Sequence, residues 1–190
     1  MKTARRAVRW PVGLAAALFL LVAAGDGRAA TGDLKKDPVG VVKAYVSLDM
    51  KGARLEPLSW ETLKPFITWK EEPAWGKVIV VESYEVVDDI KAWEVVNLYE
   101  VVIPVKFRVL GAMYWEAASF LPEPRVEEVR FRVKAVRDRW RIVEPMAPPH
   151  VGRKRLINFV RQAMLQETDG AKLGKLTELR DELKKVGKEP

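Results

Sequence analysis

The chain has a single histidine, His150, at the end of the run RFRVKAVRDRWRIVEPMAPPH. An imidazole exchanges protons near neutral pH. To act as a general base it also needs a group to orient it and a proton within reach. Its neighbours, Ala-Pro-Pro-His-Val-Gly, read as a stiff exit from a strand, so a loop position or an approach to a helix, without a catalytic role, is expected. One histidine and no cysteine exclude a histidine pair, a thiolate zinc site and thiol catalysis. The carboxylates are the other candidates for acid–base work. Asp49 falls near the end of an expected first helix, and Glu82, Asp88, Asp89 and Glu116 fall on or beside expected strands. A carboxyl in a dry pocket gains a raised pKa and becomes a usable base, but all five read more simply as surface groups. No phosphate loop, nucleophile elbow or dinucleotide fingerprint is present. We therefore assign no catalytic residue, no metal and no cofactor from the sequence.

Two patterns point to binding instead. Lys106, Arg108, Arg130, Arg132 and Lys134 alternate with apolar residues, and Arg139 and Arg141 continue the pattern. If the strands align, these make a basic stripe suited to an acidic polymer, an anionic headgroup or an acidic protein. Glu100, Glu127 and Glu128 lie in the same segments and would balance it as a solvated face. The second pattern is aromatic. Trp60, Trp69, Trp75 and Trp140 either fill a core or line the mouth of an apolar pocket.

The first 29 residues differ in kind from the rest. Lys2, Arg5, Arg6 and Arg9 precede an uncharged run from Pro11 to Gly25, followed by the small-residue stretch around Ala29. That is the pattern of a secretory signal peptide over 1–29, cut after Ala29 or Gly25. The apolar run is too short for a membrane-spanning helix, so no stable anchor is expected after cleavage. Export to the periplasm or the medium follows from this reading. The leader carries five Lys/Arg and one Asp, so of the chain's net +7 only +3 belongs to the remainder. Nucleic-acid binding loses its charge argument.

These residues need elements to hold them. Asp37-Pro38 starts a helix carrying Val41, Val42, Tyr45, Val46 and Leu48, with Gly52 as its stop. Ser59 is expected to cap a second short helix with Trp60, Leu63, Phe66 and Ile67, shortened by Pro65. Strands are expected at 77–87, 97–110 and 126–136, the last turning through Arg137-Asp138-Arg139 into a strand with Trp140 and Ile142. In the second, Tyr99, Val101, Ile103, Val105, Phe107 and Val109 share a face, and Pro104 suggests an edge or a bulge. Two helices follow His150, the second with Leu176, Leu179, Leu183 and Val186 on one side. Helices followed by long antiparallel strands indicate an α+β domain over 31–150, with N-terminal helices on a curved antiparallel sheet and a C-terminal helical extension over 151–190.

The segments PVGVVKAYVSLDMKG, LSWETLKPFITW and VKAVRDRWRIVEP resemble, in order and spacing, the nuclear transport factor two-like superfamily. This is a cystatin-like α+β cone that includes polyketide-cyclase-like and ketosteroid-isomerase-like proteins. The resemblance covers roughly 38–146 and rests on the order of elements. It implies a cone whose interior holds an Asp or a His–Asp pair in the enzymes. The faces expected to point inward here carry no ionisable group besides Tyr99, which departs from that pattern. The leading expectation is an exported, non-catalytic module that binds an apolar small molecule or a protein partner. Tyr45, Tyr99 and Trp140 are its expected pocket lining. The alternative is an isomerase, dehydratase or cyclase using a pocket carboxylate and a tyrosine. A third reading is a structural subunit forming a homodimer through the sheet or the C-terminal helices.

Overall fold

The computed structural model describes residues 37–187, so the leader expected at 1–29 lies outside the described residues. The first helix, α1 (Pro38–Met50), begins as its sequence requires. The Asp37 carboxylate accepts the Gly40 N–H at 2.9 Å, and Pro38 sits where a missing N–H costs nothing. Val41, Val42, Tyr45, Val46 and Asp49 form its buried stripe. Gly52, at φ +82, turns the chain away from the helix, a conformation that side chains rarely adopt. The next helix, α2 (Pro57–Trp60), is a single turn continued as a 3-10 turn over Glu61–Leu63. It starts at Pro57 rather than after Ser59, because the proline takes the first helical position and leaves Ser59 inside.

Six strands follow: β1 (Val78–Val86), β2 (Glu94–Asn97), β3 (Glu100–Tyr114), β4 (Ser119–Val136), β5 (Arg139–Glu144) and β6 (His150–Gly152). They form one strongly curled sheet in the order β5-β4-β3-β1-β6, with β2 paired to β3 beyond the end of β1. All pairs are antiparallel except β1 with β6, so the sheet is mixed. Pro104 lies well inside β3. On its β4 side it faces Arg130, while on the other side β1 ends opposite Val105 and β2 begins opposite Val102. A residue without an N–H thus occupies the gap between two partner strands.

Alternation along β3 divides the core in two. Val101, Ile103, Val105, Phe107 and Val109 face α1 and α2 together with Ile79, Val81, Phe131, Val133 and Ile142. Leu110 and Met113 face the other way, with Val78, Val80, Phe120 and Val151. The register shifts between Val109 and Gly111, which returns Ala112 to the first face. Gly111 is required at this bulge, because a Cβ there would lie 2.2 Å from the Leu121 carbonyl oxygen. The second face is covered by α3 (Arg153–Gln166) and α4 (Gly170–Lys185) through Leu156, Val160, Leu176, Leu179 and Leu183. Asp169 caps α4 by accepting the Ala171 and Lys172 N–H groups. The fold is α+β, with N-terminal helices on one face of a curled sheet and a C-terminal helical end on the other.

Candidate functional site

The ionisable groups inside the protein gather where α1 ends. Tyr45 and Asp49 stand one turn apart on its buried stripe, and the turn after Gly52 brings Arg54 back against them. Arg54 Nη1 donates to the Tyr45 hydroxyl at 3.2 Å and lies 3.6 Å from Asp49 Oδ2. Its Nε donates to Glu72 Oε1 at 2.8 Å, and Nη2 donates to the Ala147 carbonyl at 2.8 Å. Trp75 donates its indole N–H to the same Glu72 oxygen, and its ring lies 5.3 Å from the guanidinium. Asp49 Oδ2 also accepts the His150 backbone N–H at 3.0 Å. One arginine thus ties α1 to the 72–75 link and to the approach to β6.

Charge in this cluster is set by burial and by opposite neighbours. Burial pushes the Asp49 carboxyl up, against the pull of Arg54 and the His150 N–H. Burial works against the Arg54 charge, but Tyr45, Asp49 and Glu72 outweigh it and hold its pKa above the usual value. Tyr45 is raised, chiefly by burial and then by Asp49. A carboxyl of raised pKa beside a tyrosine is the pair an acid–base enzyme would use. Here Tyr45 and Asp49 are only 2% and 3% exposed, so neither is presented to a substrate at the surface. The geometry is that of a closed clamp. Asp49 Oδ1 and Glu72 Oε2 are enclosed without a hydrogen-bond partner.

His150 opens β6, the short strand that leads directly into α3, and it is buried. It packs on Phe107, with ring centroids 4.4 Å apart, and its Nδ1 lies 2.8 Å from the Pro148 carbonyl. A carbonyl only accepts, so Nδ1 carries a proton. The other nitrogen, Nε2, is 3.7 Å from Glu127 Oε1, too far for a hydrogen bond but within electrostatic reach of the carboxylate. His150 and Arg125 hold the Glu127 carboxyl down at about 2, against burial. A depressed carboxyl stabilises the fold above its ordinary value of 4.5, and that contribution disappears as pH falls toward about 2. We expect Glu127→Gln to remove on the order of 1 kcal/mol at pH 6 and almost nothing near pH 2, since a part-exposed pair is screened. Urea titrations of both proteins across that range check this. Parallel curves with a constant offset would show that the pair does not carry the acid response.

The three residues expected to line a pocket do not converge on one. Tyr45 packs edge-on against Trp69 and Phe131 within the core. Trp140 is half-buried on β5 and packs against the same core. Tyr99 is outside, in the turn between β2 and β3, where its N–H donates to the Asn97 side chain at 2.8 Å. Between α1 and the sheet, Tyr45, Ile103, Phe107, Phe131 and Val133 have almost no remaining accessible surface. The protein's own side chains fill that space.

The basic residues of β3 and β4 share the outer face, but with carboxylates between them. Arg108 pairs with Glu82, Arg130 with Glu94 and Glu128, Arg132 with Glu100 and Glu144, and Lys134 with Glu100. Lys106 stands between Glu85 on β1 and Glu128 on β4. The hydrogen bond from Arg132, helped by Lys134, keeps the Glu100 carboxyl below its usual range. The stripe is therefore a ladder of alternating sign. Arg54 and Glu72 escaped the sequence reading because both lie in turn-rich segments that resemble surface. Glu72 between Trp69 and Trp75 was the available signal. Comparison with protein-family models, with curated proteins and with solved structures finds no match to this chain.

Proposed function

We propose that the chain is an exported, non-catalytic interaction module with a nuclear transport factor two-like cone, and that it docks a protein partner along β2. The observation that carries this is the segment from Ile90 to Tyr99. Ile90, Val95, Val96, Leu98 and Tyr99 are 43–86% exposed within ten residues, while the interior is closed. Contiguous exposed apolar surface marks interaction sites. Among the described residues β2 pairs only with β3, so its outer edge is unpaired. Sheet edges are usually guarded by lysine, proline or inward charge, yet β2 carries one charge, Glu94, in its four residues. An apolar strand with a free edge suits a partner segment that adds as a further strand, its backbone giving affinity and Val95 and Val96 giving side-chain contacts. The enzyme alternative would require Tyr45 and Asp49 to meet a substrate, and both are enclosed.

The test is a photo-crosslinking residue placed at Leu98 in producing cells, with Leu58 as an exposed control outside the segment. A discrete adduct from position 98 alone is expected. An adduct of twice the chain's mass would identify the partner as a second copy. No adduct, or the same products from both positions, would sink the docking surface. Recovery of the uncut chain in the cytoplasm would sink export.

A further inference from the structure

Away from β2, the turn between β4 and β5 closes over the 3-10 turn and the segment after it. A cleft of about 760 Å³ lies between them, lined by Lys64, Lys70, Arg137, Arg139 and Arg141 with Trp69. Among the described residues no carboxylate lines it. This differs from the outer face of β3 and β4, where each cation has an acid beside it. Among the described residues only Lys64 of these five has an ion-pair partner, the exposed Glu61. Arg141 is held in place from one nitrogen, Nη1, which donates to the Lys64 and Ile67 carbonyls at 2.9 Å. The rest of its guanidinium remains available. The Trp69 indole N–H is enclosed and has no acceptor among the described residues.

The turn supplies a second, independent observation. Arg137 and Asp138 both take positive φ, +49° and +63°, as a tight two-residue hairpin turn requires. Asn and Gly meet that requirement at little cost, and Asp tolerates it, whereas arginine is strained there. The strained residue is the one that places a cation in the cleft.

We propose that this cleft binds a ligand carrying two or more phosphate groups. The lining side chains offer donors and positive charge. Guanidinium forks match phosphate oxygens in pairs. Five cations, one shared with Glu61, are balanced by two phosphates at roughly −1.5 to −2 each. The ligand is either free or the headgroup of an acidic lipid, and the phosphate chemistry is the same.

The experiment uses the purified full chain, with sodium tripolyphosphate as the free probe in calorimetry. Vesicles of phosphatidylcholine with and without phosphatidylinositol bisphosphate, whose headgroup carries two phosphomonoesters, are the lipid probe in flotation. We expect Arg137→Glu/Arg139→Glu to weaken binding by about tenfold or more. Arg108→Glu, the same kind of charge change on the outer ladder, should leave it within about twofold. Arg137→Asn should weaken binding while raising the melting temperature by roughly 1–4 °C, because the turn strain is released. Binding of tripolyphosphate supports the free ligand, and binding of acidic vesicles alone supports the headgroup. Binding of neither overturns the proposal. Equal loss with Arg108→Glu, or no loss with both turn variants, overturns it as well.

Discussion

Arg54→Met is expected to cost about 3–5 kcal/mol of stability. The side chain is 2% exposed and bridges two carboxylates, a hydroxyl and a backbone carbonyl. Methionine fills much of the volume and supplies none of the charge. It leaves Glu72 and the buried Asp49 without their cation and the Ala147 carbonyl without its donor. An unpaired buried charge costs far more than the intact pair contributes, which makes the effect large. The cost should shrink when the acids are neutralised. In a cycle with Glu72→Gln and Asp49→Asn, the triple variant should regain about 1–3 kcal/mol over Arg54→Met alone. Urea unfolding of the set at neutral pH measures this. Additive losses with no recovery would show that Arg54 acts by packing and not as the counter-charge.

The same cluster shows what could be read from the sequence and what could not. Local rules located α1, because Asp37, Pro38 and Gly52 act within a few residues of where they stand. They located the hairpin of β4 and β5, because alternation and a two-residue turn are short-range patterns. His150 does lead into α3, as one of its two readings had it, but its short strand went unseen because it is made by pairing with Ile79, 71 positions earlier in the chain. Proline-rich flanks say loop, and only a distant partner says strand. Tyr99 was carried along by extending the β3 alternation back past Glu100 into the turn. The Asn97 side chain, which accepts the Tyr99 N–H, is the local turn signal that should have stopped it. The basic residues were placed on the correct strands, but their charge could not be judged without register. Lys134 opposite Glu100 and Lys106 opposite Glu128 are facts of alignment. The cleft at Arg137 and Arg139 was hidden for a related reason. It joins a turn to the segment around Lys64 and Lys70, more than 60 residues away.

Ending the chain after Gln166 is expected to abolish the cooperative fold. Leu176, Leu179 and Leu183 lie on one side of α4, and their exposures are 8%, 0% and 0%. They cover the sheet face made by Val78, Val80, Leu110, Met113, Phe120 and Val151, together with Leu156 and Val160 of α3. Burying a leucine contributes roughly 1.5–3 kcal/mol, so three contribute roughly 5–9 kcal/mol before the entropy of ordering the helix is subtracted. Domains of this size are commonly stable by only about 5–15 kcal/mol. The truncated chain should therefore bind a hydrophobic dye and melt without a sharp transition. Leu179→Ala in the full chain should cost about 2–5 kcal/mol and keep the transition sharp. A truncated chain that melts like the full one would mean that α4 does not cover this sheet in solution and would return it to the role of a self-association seam. With α4 in place the apolar part of the second face is covered, just as α1 covers the first. The apolar parts of both faces are then covered, the exposed remainder of the second face carries the ion-paired ladder of β3 and β4, and recognition falls to β2 and to the cationic cleft.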